Sequence, residues 1–107
     1  MGGERSRHVL FLGADVTDDS LYQRYRAEMT PILERYGGAF GYDLVVSRVL
    51  KSEAAAPMNR VFTIAFPDRS SVERFFEDPE YRAVRARLFE PAVRSLTKIA
   101  AFDEIVR

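Results

Sequence analysis

A chain of 107 residues has the size of one domain and can bury roughly 60 to 70% of its unfolded surface in a core that needs no staples. Its sixteen basic and sixteen acidic residues cancel, so no overall field draws it to nucleic acid or to anionic lipid. The lack of cysteine excludes disulfides, thiolate metal sites and thiol nucleophiles, and fits a reducing, cytoplasmic setting.

The polar start MGGERSR reads as a disordered tail over residues 1–7, leaving a single domain over 8–107. The apolar run from Val9 to Leu12 is too short for a signal-peptide core or a membrane span. All but two of the basic residues are arginine, which reads as the coding bias of a bacterial genome rather than as anion recognition.

The first strand, HVLFLGADV, carries Val9 and Phe11 on one face and Leu10, Leu12, Ala14 and Val16 on the other, so both faces should be covered. A helix follows, with Asp18 as N-cap or Ser20 and Gln23 as an alternative capping box. Leu21, Tyr25, Met29, Ile32, Leu33 and Tyr36 draw one apolar stripe along it. Pro31 should kink that helix or restart it, and Gly37 and Gly38 end it. A second strand is expected from about Phe40 to Leu50, a loop over Lys51 to Asn59, and a third strand from Arg60 to Phe66.

Ser70 and Glu73 form a capping-box pattern ahead of Val72, Phe75 and Phe76. Asp78 then Pro79 places an N-cap and a first-turn proline at the start of another helix, whose stripe is Tyr81, Val84, Leu88 and Phe89 until Pro91. Asp78 with Arg82 and Glu90 with Arg94 have the i, i+4 spacing of a solvated helix face. A fourth strand is expected over about Lys98 to Val106.

Strand, helix, two strands, helix, strand is the α+β ferredoxin-like order, βαββαβ, with two helices on one face of a four-stranded antiparallel sheet. The other face would be bare, yet Val9, Phe11, Val61, Ala65, Phe102 and Val106 fall on alternate positions. An apolar sheet face of several hundred Å² calls for a second copy to cover it. The expected assembly is a homodimer joined sheet to sheet.

The segments YQRYRAEMTPILERYGGAF and RVFTIAFPDRSSVERFFEDPEYRAV resemble the bacterial family of domain of unknown function 1330, within the dimeric α/β-barrel superfamily. The Tyr22 and Tyr25 pair, Tyr36 to Gly38, Phe66 with Pro67, and Asp78 to Tyr81 carry the likeness. It implies the same fold, sheet-face dimers and small-molecule pockets. The superfamily includes cofactor-free monooxygenases, isomerases, haem-handling enzymes and ligand sensors, so the likeness imports no single reaction. Where the family tends to show Leu then Arg, this chain reads Arg87 then Leu88, and the tail lacks the family's VEG ending; it resembles a divergent branch.

His8 is the only histidine; without a second histidine or an evident carboxylate partner it reads as a strand-edge residue, and no metal site is expected. Asp15 and Asp103 fall late on apolar strands and could line a polar pocket with Arg48. Tyr22, Tyr25, Tyr42 and Tyr81 could bring hydroxyls to a helix–sheet cleft. Tyr22, Tyr25, Arg48, Asp15, Tyr81 and Arg87 are the pocket candidates. Gly37, Gly38 and Gly41 make no phosphate cradle, and no cofactor is expected. Two functions stay open. One is a cofactor-independent enzyme, such as an oxygenase or isomerase, acting on a small hydrophobic metabolite. The other is a non-catalytic ligand-binding or stress-linked accessory dimer.

Overall fold

The computed structural model describes residues 5–106. Strand β1 (Arg5–Val16) leads to helix α1 (Asp19–Arg35), strands β2 (Ala39–Val45) and β3 (Arg60–Phe66), and helices α2 (Arg69–Glu77) and α3 (Pro79–Val84). A π-helical turn over Arg85–Phe89 extends α3, and β4 (Val93–Val106) closes the chain. The four strands form one antiparallel sheet in the order β2-β3-β1-β4, the expected ferredoxin-like fold. Among the described residues no helix is long and apolar enough to cross a membrane.

Alternation along β1 sends Leu10, Leu12, Ala14 and Val16 to the helix side, where Phe62, Ile64 and Phe66 of β3 join them. The α1 stripe buries Tyr22, Tyr25, Met29, Ile32 and Leu33 against this layer, and Phe75, Tyr81, Val84 and Leu88 complete it from the second helical layer. Each such side chain contributes about 1.5–3 kcal/mol on burial, against a few tenths for a surface i, i+4 ion pair, so the stripe rather than the charges orients the helices.

The caps follow the sequence with one exception. The Asp18 carboxylate accepts from Leu21 N–H, and Asp78 accepts from Glu80 and Tyr81 N–H, with Pro79 in the first turn. In α2 the cap is Asp68 rather than Ser70: Asp68 Oδ1 accepts from Ser71 N–H and from both serine hydroxyls. A carboxylate one residue ahead of the helix outcompetes the hydroxyl of a residue already inside it. The i, i+4 pairs are also replaced. Asp78 accepts from the Tyr36 hydroxyl at 2.6 Å, Arg82 donates to the Phe76 carbonyl, and Arg94 lies in β4.

Several boundaries differ from expectation. Arg5, Ser6 and Arg7 are strand rather than tail, because they pair with Val106, Ile105 and Glu104 of β4 and Arg7 forms an ion pair with Glu104 at 2.5 Å; residues 1–4 lie outside the described residues. Strand β2 stops at Val45, so Arg48 stands in an exposed loop. Strand β4 starts at Val93, ahead of the expected Lys98. Helix α1 runs through Pro31 as one element, with the Thr30 hydroxyl donating to the Arg26 carbonyl.

The second sheet face is not wholly bare. Met58 lies over Gly13, where an added Cβ would come 2.1 Å from its sulfur. A cavity of about 460 Å³ opens between the loop residues Lys51–Ala54 and Thr97–Ile99. Leu44, Ile99 and Phe102 remain exposed.

Phe75 is fully buried and stacks on Tyr36, Phe66, Phe76 and Tyr81. Phe75→Ala is expected to lower unfolding free energy by about 3–5 kcal/mol in urea titration. Gly37 has φ +75° against the Pro67 ring, so Gly37→Ala should cost about 1 kcal/mol or more in the same assay.

Candidate functional site

On the helix side of the sheet, residues of β1 and β4 face α2, α3 and the π-helical turn across a groove. Its inner end is aromatic. Tyr25 of α1 and Tyr81 of α3 share a buried hydrogen bond between their hydroxyls at 2.8 Å, and Phe89 packs 4.9 Å from the Tyr25 ring centroid. Arg85 donates weakly to the Tyr81 hydroxyl at 3.5 Å, and its guanidinium lies 4.7 Å from the centroid of Phe89. These residues, with Leu12, Ile64, Phe76 and Leu96, line a cavity of about 30 Å³, room for about one water. The π-helical turn contributes both Arg85 and Phe89, and its widened bond runs from Glu90 N–H to the Arg85 carbonyl. Such turns recur at functional sites because they offset the side chains that follow.

Burial, with the neighbouring Tyr81 hydroxyl adding to it, pushes the Tyr25 hydroxyl far above its usual range. Tyr25 therefore stays protonated and serves as a hydrogen-bonding wall, not as a base.

The outer end of the groove is polar. His8, Leu10, Arg69, Val72, Glu73, Lys98 and Ala101 line a recess of about 320 Å³. The recess and the cavity share no lining residue, but Leu10 of one and Leu12 of the other are successive residues on one face of β1, and Val72 and Phe76 lie one turn apart on α2. His8 is buried, and its Nδ1 lies 2.8 Å from Asp103 Oδ1.

A bulge makes that pairing. Phe11 pairs with Ala100 but Leu12 with Lys98, leaving Ile99 as an extra residue in β4. An inserted residue reverses which side chains face the helices beyond it. Lys98 on one side of the bulge and Ala101 and Asp103 on the other thus share the helix face.

The expected site residues scatter. Tyr25 and Tyr81 meet in the groove. Tyr22 packs beside Tyr25, with ring centroids 5.8 Å apart, but does not line the cavity. Its hydroxyl and Arg26 Nε are buried without a hydrogen-bond partner among the described residues. Burial raises the Tyr22 pKa, and the Arg26 guanidinium partly offsets that. Asp15 is buried on the opposite face of the sheet, 3.8 Å from Arg94. The expected grouping of Asp15 or Asp103 with Arg48 does not form, because Arg48 is in the loop and Asp103 holds His8. Arg87 is exposed and pairs with Glu28 of α1 at 2.5 Å, away from the groove; Tyr42 is exposed on β2.

Sequence reasoning passed over Arg85 and read His8 as a strand-edge residue with no carboxylate partner, which its contact with Asp103 corrects, although the signals were present. Arg85 lies four residues after Tyr81 and four before Phe89, the spacing of one helix face. His8 alternates in phase with Leu10 and Leu12. Asp103 carried no such signal, since its face depends on the bulge.

The model of the family described as domain of unknown function (DUF1330) matches residues 9–102. No curated protein matches the chain. Among solved structures, a protein of unknown function from Rhodopseudomonas palustris is similar, with 20% identity and a TM-score of 0.66 over 95% of this chain and 84% of that one. A dabb family protein with a ferredoxin-like fold from Mesorhizobium loti shares 14% identity at a TM-score of 0.57, over 96% and 99% of the two chains. A dimeric ferredoxin-like protein of unknown function from Thermobifida fusca shares 15% at 0.51, over 99% and 94%. At these identities the likeness shows the fold.

Removing the Tyr81 hydroxyl strands that of Tyr25, whereas Tyr81 without Tyr25 keeps Arg85. Tyr81→Phe is therefore expected to cost about 1–3 kcal/mol and Tyr25→Phe less, with the double variant no worse than Tyr81→Phe alone in urea unfolding. A folded-state pKa raised above the unfolded value of 10.0 contributes stability that is present below pH 10 and lost as pH rises beyond it. Tyr25→Phe should flatten that alkaline loss in thermal scans.

Proposed function

The chain belongs to the DUF1330 family, and on that premise we propose that it is a homodimeric enzyme that acts on a small hydrophobic metabolite with its own side chains and no cofactor. The observation that carries this reading is the groove itself: apolar walls that converge on the Arg85 guanidinium and the Tyr81 hydroxyl. Ligand sites commonly combine a mostly apolar lining with few polar groups and volumes of about 300–1,000 Å³. The inner cavity is too small for a metabolite, but the adjoining recess of about 320 Å³ reaches that range. A ligand would lie along β4, its apolar body against Leu10, Val72 and Phe76 and a polar atom toward Arg85.

A non-catalytic binding protein is the second reading, favoured by the Tyr25 hydroxyl, which burial holds protonated and so unfit to take a proton.

The dimer is part of the proposal. Leu44, Ile99 and Phe102 are exposed apolar groups, and register places Leu44 and Phe102 on the face away from the helices, opposite Val61 and Val9. Covering them with a second copy removes an apolar patch from water. The similar Thermobifida fusca protein is described as dimeric, which supports self-association here.

Native mass spectrometry of protein from the organism that makes it is expected to give two 12.2 kDa chains with a small added mass that leaves on denaturation. Arg85→Met should lose the added mass and keep the dimer. Phe102→Arg should give monomers in sedimentation. A wild-type monomer would overturn the sheet-to-sheet dimer, and a wild-type dimer without added mass would count against tight binding.

A further inference from the structure

We propose that His8 and Asp103 form a proton-transfer pair at the outer end of the groove, and that its substrate is a small, uncharged molecule with an acidic C–H next to a carbonyl. The inference rests on the reading of the groove as an enzyme's, and adds to it the reacting group and the class of substrate.

Asp103 Oδ1 lies 2.8 Å from His8 Nδ1. An ionised carboxylate can only accept, so this contact places the ring proton on Nδ1 and leaves the lone pair on Nε2. Among the described residues no hydrogen bond engages Nε2, and His8 lines the recess. The imidazole is held rather than loose, since its side chain is 9% exposed while Asp103 reaches out to solvent at 61%. A buried ring oriented by a carboxylate and opening on a cavity has the arrangement of a general base.

The recess also says what the base would act on. Leu10, Val72 and Ala101 give it apolar walls, while Arg69 and Lys98 bring cations to it. Glu73 on the same wall offsets one of those cations and leaves the lining a formal charge of +1, which is matched by a neutral substrate that becomes anionic only as its C–H proton leaves. When Nε2 takes the proton, the C–H electron pair moves into an enolate whose oxygen is stabilised by Lys98 or Arg69. The imidazolium so formed is stabilised by Asp103, and it returns the proton to the same carbon or to a conjugated one. No oxidant or co-reactant is needed, and exchange or isomerisation results. His8 is the catalytic residue; Asp103 acts through it, as a positioning residue.

The probe is 5-nitrobenzisoxazole, a neutral, flat C–H acid. A base removes its C3 proton, the C–H pair becomes part of the nitrile, and the N–O bond breaks to a coloured phenolate. The full-length wild-type protein is expected to exceed an equal concentration of free imidazole by about 100-fold or more, the size of a positioned base. His8→Gln should fall to the buffer rate, and Asp103→Asn should fall about tenfold. Both variants are checked for the wild-type thermal transition.

Because His8 is the only histidine, two-bond ¹H–¹⁵N spectra of labelled protein read its tautomer without ambiguity. The proton is expected on Nδ1 in the wild type, with that preference weakened in Asp103→Asn. A wild-type rate no higher than imidazole's, an unchanged rate in His8→Gln, or a wild-type neutral ring protonated on Nε2 would each overturn the proposal; the last applies even if His8→Gln does not fold. A ligand-bearing dimer with no elimination activity would sink this pair and spare the ligand-binding groove, whereas activity without a bound ligand would support the pair alone.

Discussion

Strand β1 is the element on which the rest of the molecule depends. It is hydrogen-bonded on both sides, to β3 from His8 to Ala14 and to β4 over its whole length, so every backbone group it buries has a partner. Its apolar side chains on the helix side, Leu10, Leu12, Ala14 and Val16, form the floor on which α1 and α3 pack. A strand paired on both edges cannot shift register without turning that floor toward solvent, which makes its neighbours' positions consequences of its own.

Against this rigid strand, β4 carries a bulge at Ile99. Strand β4 follows β1 for most of its 14 residues, and a long two-stranded ribbon carries a strong twist. An extra residue leaves Ile99 unpaired and reverses the facing of everything beyond it. The chemical consequence is local: Asp103 turns to the helix side and meets His8, while Phe102 stays on the open face opposite Val9. One irregular residue thereby separates a polar recess from an exposed apolar face on the same strand.

Charge is used sparingly for stability and selectively around the groove. Arg35 with Glu80 and Arg87 with Glu28 lie largely in water, where such pairs are worth about 0–1 kcal/mol. Arg26 and Arg60 are better shielded. Arg26 lies over the Phe40 ring, its guanidinium 3.5 Å from the centroid, and pairs with Asp43; Arg60 pairs with Asp19 beside Tyr22. They lock β2 and β3 to α1. Arg85 pairs with no carboxylate among the described residues and faces a hydroxyl and an aromatic ring instead, an arrangement that leaves its donors available to a ligand.

Local sequence by itself determined the order of the elements, the caps at Asp18 and Asp78, the stop at Gly37 and most of the core. Each of these depends on residues within one or two turns of one another, whose propensities and periods act before any long-range contact forms. The likeness at Tyr22, Tyr25, Tyr36–Gly38 and Asp78–Tyr81 also marked the family, because those residues are the caps and ring contacts of the scaffold. Where pairing across the sheet decided the outcome, local reading failed: Arg5–Arg7 became strand through β4, and Arg48 fell into the loop beyond the end of β2. The site belonged to that second class. Arg85 and His8 had legible phases along their own elements, but Asp103 lies 95 residues from His8, and only the tertiary structure decided that they meet, because a single extra residue in β4 determines which face its carboxylate reaches.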